Sequence, residues 1–385
     1  MVAAPAAAAM APGSGAASLA WLAKLAGAPL PTRRQEDWRF TDLSPLEAIP
    51  AGIADADPGL IADPWAGLSL PAGVTRLAAA AAEPRLGTAL AARGCHQHWP
   101  VLLNAGASPA LLALKVEGDA GSLELPLPAP AADGLVAWRL LLVLEPGARL
   151  ELLLAPAPAS GRRQLLSLVS EAVLGEGACL QLGCLALGQE HSALLHHLAV
   201  RQAAGSELQA TVVSSGWALA RHEPRIVQEH GAARTRLLAL QRVDGRELAD
   251  THSFVRFDGP DGELDQLHKA VADGAGRSVF NGAVQVPRAA QRTNAAQLSR
   301  NLLLSDRARI DTKPELEIVA DDVKCAHGAT VSQLQTEELF YLRSRGIDSA
   351  TAARLLERAF CHEVLQELPA GARGRDPIAA LLGDA

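Results

Sequence analysis

A turn recurs along the middle of this chain, and an alternating segment follows it each time. The stretches PGARLEL, EGACLQL, AGSELQA and HGAARTRL begin at residues 146, 176, 204 and 230. Their glycines, Gly147, Gly177, Gly205 and Gly231, are 30, 28 and 26 residues apart. After each turn apolar and polar residues alternate, as in RLELLL (149–154), CLQLGCLAL (179–187), ELQATVV (207–213) and TRLLAL (235–240). A two-residue period marks strands with one face buried. A repeat of roughly 20–50 residues marks a stacked architecture. No unit holds a segment of helical period and helical length, which disfavours βαβ and paired-helix repeats. The pattern predicts a β-solenoid with glycine turns at its corners. A β-sandwich with long hairpins is the competing arrangement. Related turns recur at DGAGRS (273–278) and SDRAR (305–309).

The flanks differ in character. Residues 1–30 form an Ala/Gly/Pro-rich leader, expected to be partly disordered, with a short helical piece around AASLAWLAKLAG. Residues 31–94 are expected to be helical or irregular. They begin with the charged stretch PTRRQEDWRFTDLSPL, whose Trp38 reads as a packed anchor. The strand repeats are placed at 95–334. From 335 to 385 the period becomes helical. TEELFYLRSRGI has Thr336 as N-cap and Gly346 as stop. The next helix carries Ala352, Leu355, Leu356, Ala359, Phe360 and Val364 as its apolar face.

Composition narrows the class. Hydrophobic residues make up 49% of the 385 and charged residues 20%, enough apolar material for a large core. The net charge of −7 leaves no basic footprint for nucleic acid. No apolar run is long and charge-free enough to span a bilayer. The leader lacks the basic start of a signal peptide, since its first positive charge is Lys24. Five scattered cysteines are an odd number and predict no disulfide framework. A reducing, cytoplasmic setting is expected.

No lysine follows a glycine, so no phosphate-cradling P-loop exists; GxSxG, HExxH and CxxC are also absent. CHQHW clusters Cys95, His96 and His98 and reads as incidental. In LLHHLAV, one of His196 and His197 faces inward and the other outward. Cys179 and Cys184, five apart, face opposite sides of a strand. KCAHGAT (324–330) differs, because residues i and i+2 share a face. Cys325 and His327 suit a soft or borderline ion such as iron. Two ligands leave a site incomplete, and a partner chain would have to complete it. Gly328 permits a close backbone approach. Buried core is the competing reading of the pair.

Residues 291–347 are similar to the signature region of the SufB/SufD family of iron–sulfur cluster assembly scaffolds. The likeness rests on the Gln297…Asn301 pair, LLLS, TKPELEI, ADDVKC, HGAT and FYLRSRGI. HKAVADGAGRSVFNGAVQVP (268–287) resembles the preceding coil, and QEDWRFTDLSPL resembles the N-terminal motif of the SufD branch. Ala296 departs from a commonly aromatic slot.

The resemblance implies a right-handed parallel β-helix flanked by helical N- and C-terminal domains. It implies a non-enzymatic scaffold that pairs with a SufB-like paralogue through the β-helix. A SufC-like ABC ATPase would dock on residues 336–365, with Phe340, Arg343, Arg345 and Phe360 as candidate contacts. Cys325 and His327 would hold iron or a nascent iron–sulfur cluster, transiently and shared with SufB. This chain would bind no nucleotide. A SufB-like sulfur acceptor is the alternative, and a carbohydrate-binding β-helix is a weak one, given only 3% aromatic residues. A homodimer along exposed sheet edges is a further expectation for the isolated chain.

Overall fold

The computed structural model describes residues 19–54, 64–92 and 94–383. Most of the leader, through residue 18, lies outside them. The chain winds into a parallel β-solenoid of about eight turns, with helices at both ends. Each turn gives one strand to each of two sheets. The first sheet begins with the short antiparallel β1 (Val74–Arg76). It continues through β2 (Ala110–Val116), β4 (Gly134–Leu144), β6 (Gln164–Leu174), β8 (Ala193–Gln202), β10 (Leu219–Gln228), β12 (Leu248–Phe257), β14 (Arg277–Val286) and β16 (Arg309–Ile318). The second sheet stacks β3 (Asp119–Leu125), β5 (Arg149–Leu154), β7 (Cys179–Leu187), β9 (Glu207–Ser215), β11 (Arg234–Val243), β13 (Glu263–Ala272), β15 (Asn294–Leu303) and β17 (Lys324–Ser332). This excludes the sandwich.

The predicted corner glycines adopt φ values of 71°, 65°, 67° and 84°, the left-handed region that favours glycine. Successive corners bond to one another: Gly147 N–H donates to the Glu176 carbonyl at 2.8 Å, and Gly177 N–H to that of Ala204 at 3.0 Å. Gly231 has a further constraint, since a Cβ there would strike the Pro260 backbone. The turns at 273–278 and 305–309 form a different corner, leading from the second sheet back to the first. The stack begins at Ala110 rather than at 95, because Cys95–Gln97 is a 3₁₀ turn and Trp99–Gly106 a helix.

An apolar cluster fills much of the solenoid interior, with Leu114, Leu142, Leu152, Leu182, Phe257 and Val286 among its members. Both outer faces are also covered. α1 (Ala20–Ala26), α2 (Ala79–Ala82), α3 (Thr88–Ala92) and α4 (Trp99–Gly106) precede the stack. Leu22, Trp38, Leu46, Trp99 and Leu103 pack on the first sheet over Leu165, Leu195, Leu219 and Leu248. The charged stretch docks there too, with Trp38 only 7% exposed and edge-on to Trp99 at 6.0 Å.

α5 (Thr336–Ser344), α6 (Ser349–Leu365) and α7 (Pro377–Leu382) follow the stack. α6 covers the second sheet through Cys361, Val364 and Leu365, against Leu185, Val213, Leu240 and Val271. Two helix details differ from expectation. Thr336 is already helical and Gln335 precedes it without a side-chain cap, whereas Asp348 caps α6 through Ala350 and Thr351 N–H. Leu355 is 43% exposed and Ala359 is also exposed, so the buried stripe of α6 is rotated away from them. Gly346 does end α5, at φ 86°. Among the described residues no helix is long and apolar enough to cross a membrane.

Candidate functional site

Among the described residues no further strand stacks on the last turn of the solenoid. β16 and β17 are the terminal strands of their sheets, and each leaves one edge unpaired among the described residues. In β17, Cys325 lies over Ala295 and His327 over Gln297. Parallel partners share a face, and so do residues two apart. Cys325 packs against the interior cluster, so both side chains belong to the inward face at the open end. Cys325 is half-buried and His327 exposed. Beneath His327, Gln297 Nε2 donates to Gln266 Oε1 at 2.9 Å, and Gln266 Nε2 to Ser253 Oγ at 2.7 Å. Burial pushes the Cys325 thiol up, against a smaller opposing effect of a backbone hydrogen bond at Ala295. A Cβ on Gly328 would meet only Leu298 Cδ1, at an ordinary 3.5 Å. Apolar side chains accompany the open end: Ile318, Val319 and Val331 are 42%, 57% and 45% exposed.

The four candidate docking residues separate. α5 buries no residue, and Phe340 is 70% exposed with Arg343 and Arg345 in solvent beside it. Tyr341, not singled out from the sequence, is 58% exposed, with the Arg345 guanidinium 5.2 Å from its ring centre. Phe360 faces the solenoid instead. The Lys269 ammonium lies 4.2 Å from its ring centre and donates to its carbonyl at 2.7 Å.

Among the described residues two groups of three ligand-type side chains come together elsewhere, and Cys325 and His327 belong to neither. Alternation along β8 separates the neighbouring histidines. His196 points into the solenoid with Cys184 and His222, and all three are buried. Burial drives the Cys184 thiol up to about 12 and the His222 imidazole down to about 4. His197 points out toward Cys95 and His98, in contact with Glu223. Burial alone would raise the Glu223 carboxyl, but Arg221, aided by His197 and His98, outweighs it and holds the group well below the usual range. Glu223 occupies an irregular spot. Pro224 has no N–H to donate, and the register between β10 and β12 skips Glu223 and Pro224. CHQHW and LLHHLAV contain the outer group and His196, whereas Cys184 and His222 come from other strands, and only the tertiary fold joins either set.

The family described as "SUF system FeS cluster assembly, SufBD core domain" matches residues 129–360. An iron–sulfur cluster assembly SufBD family protein of Synechocystis is 45% identical over 213 residues, covering 54% of this chain and 46% of the relative. A chloroplastic protein of Arabidopsis thaliana, ABCI7, is 42% identical over 202 residues, 52% of this chain and 42% of the relative. The iron–sulfur cluster assembly protein SufD of Escherichia coli is 38% identical over 153 residues, 40% of this chain and 36% of the relative. In each case the match spans less than half of the relative's length. With the parallel solenoid and the family match in agreement, the chain belongs to the SufBD family of iron–sulfur cluster assembly proteins.

Proposed function

We propose that this chain is a SufD-type scaffold subunit, working with a SufB-like paralogue and a SufC-like ABC ATPase. The observation that carries the reading is the open end of the solenoid. Two unpaired strand edges offer backbone groups to a matching coil, and exposed Ile318, Val319 and Val331 offer apolar area. A paralogue with the same fold would extend both sheets there. Cys325 and His327 would then lie at the junction of two interiors, where a thiolate and an imidazole hold iron or the nascent cluster as cargo. The partner supplies the remaining ligands.

The ATPase docks on α5, through Phe340, Arg343 and Arg345, with Tyr341 beside them. The chain itself is a non-enzymatic scaffold that binds no nucleotide, and nucleotide closure of the ATPase pair levers the junction through α5 and α6. Five cysteines outside disulfides suit a reducing compartment such as the cytoplasm.

The test is co-expression with the SufB-like and SufC-like partners, comparing wild type with His327→Ala for iron and acid-labile sulfide. A fall in both with the complex intact is the expected result. Unchanged cluster content would return Cys325 and His327 to a packing role. Dissociation of the complex would make the motif an interface element only.

A further inference from the structure

We propose that Cys95, His98 and His197 form a binding site for one borderline divalent cation, of the zinc or ferrous class, on the outer face of the first sheet. The site shares no residue with the open end and does not depend on the function proposed for it.

One ligand atom from each of the three residues lies within 4.8 Å of the other two. A tetrahedral ion with bonds of ~2.0–2.3 Å spaces its ligands ~3.3–3.8 Å apart, so modest side-chain rotation closes the set. The residues come from two elements. Cys95 opens the 3₁₀ turn leading into α4, His98 follows that turn, and His197 projects from β8 beneath it. The two imidazoles meet edge to face, with centroids 5.4 Å apart.

The tautomer of His197 is set by its neighbour. Its Nδ1 lies 3.0 Å from Glu223 Oε2. A carboxylate oxygen beside the Arg221 guanidinium accepts, so Nδ1 donates to it and Nε2 keeps its lone pair. Nε2 is buried without a partner, and His197 is 0% exposed. Native proteins rarely leave such a group unmet. A carboxylate behind a histidine is also the arrangement that orients a metal-bound imidazole. Glu223 is itself fixed, because Arg221 Nε donates to its Oε1 at 2.6 Å.

Access distinguishes this trio from the interior one. The His98 side chain is 28% exposed and opens a route for the ion, with a fourth position left to water. Cys184, His196 and His222 are sealed at 1%, 3% and 1% exposure. On binding, Cys95 releases its thiol proton to solvent. The ion then ties the start of α4 to β8.

The test uses the full-length chain, reduced, with cobalt(II) as the probe. Wild type and the Cys325→Ser/His327→Ala double variant are expected to bind one equivalent with a thiolate-to-cobalt charge-transfer band. His98→Gln, at a partly exposed position that tolerates the change, is expected to weaken binding by about tenfold or more. Cys95→Ser is expected to lose the band. Circular dichroism establishes that each variant is folded. No band in wild type, a band of equal affinity in His98→Gln, or a band lost only in the double variant would each overturn the site.

Discussion

Pro369 rests directly on Gly183, and no side chain fits between them. Gly183 lies in β7 on the second sheet, and Pro369 follows the turn after α6. A residue two positions earlier secures the contact, since the Glu367 carbonyl accepts from Gln209 Nε2 at 3.0 Å and Thr211 Oγ1 at 3.1 Å. Gly183→Val should therefore push the C-terminal segment outward and cost about 1–3 kcal/mol, as overpacking does. Hydrogen exchange would locate the damage. Faster exchange confined to residues 349–383 and their β7–β9 contacts is expected, and unchanged protection there would refute the seat.

Phe340 and Phe360 should behave oppositely. Phe340→Ala removes an exposed ring and should shift stability by less than ~0.5 kcal/mol. It should weaken capture of the ATPase. Phe360→Ala removes a half-buried ring and its contact with Lys269, and should cost about 2 kcal/mol, roughly half the value for a fully buried phenylalanine. Chemical denaturation paired with co-purification separates the two effects. A Phe340 variant that still captures the ATPase at full yield would exclude α5 as the docking surface.

Arg221 links the charged N-terminal stretch to the solenoid. It is 1% exposed, bonds Glu223, Asp250 and Thr41, and lies 3.9 Å from the centre of a Trp38 ring. Arg221→Met leaves two buried carboxylates without their cation. The expected loss is about 3–5 kcal/mol, because breaking a buried pair strands the remaining charge. Trp38 should become solvent-accessible at lower denaturant than the strands unfold. A single coincident transition at the wild-type midpoint would contradict this.

Asp37 gives the same stretch an acid sensitivity. His252 donates to its carboxylate and, against burial, holds the group at about 2. The folded value lies below the ordinary 3.8, so the stabilisation is complete above about pH 4 and is lost as pH falls toward 2. The side chain is 56% exposed, and solvent screening limits the effect to less than ~1 kcal/mol. Asp37→Asn should abolish that slope between pH 4 and 2 and leave stability above pH 4 lower. An unchanged acid limb would show that His252 does not hold the carboxylate.

What could be read from the sequence follows from burial. The four alternating runs that revealed the repeat are β5, β7, β9 and β11, all in the second sheet, where some outward positions stay polar. Their partners β6, β8 and β10 are buried almost throughout, and strands covered on both faces lose their alternation. Hence the coil period was legible but half its strands were not. The opposite orientation of His196 and His197 needs only backbone alternation and was legible too. The company each keeps was not, because Cys95 and His98 reach His197 only once α4 is laid across β8. Leu355 fits an apolar helical stripe as well as Leu356 does, and only the position of the second sheet decides which is covered. Cys325 and His327 were placed on a common face by spacing. Their exposure depends on β17 being the last strand, which no local pattern encodes.

That terminal position yields the sharpest test of the partner surface. Ile318 and Val331 are exposed on the open end, so replacing both with lysine should leave the isolated chain's stability within ~0.5 kcal/mol. Charge on a strand edge opposes pairing with another strand. The double variant should therefore lose the SufB-like partner while keeping the ATPase, whose proposed docking surface is the exposed face of α5. The same substitution should abolish any self-association of the isolated chain through these edges. Sedimentation of the chain alone and pull-down from the three-protein co-expression measure the two outcomes separately. Retention of the paralogue by a folded double variant would move the junction away from β16 and β17, and with it the reason for placing cluster assembly at Cys325 and His327.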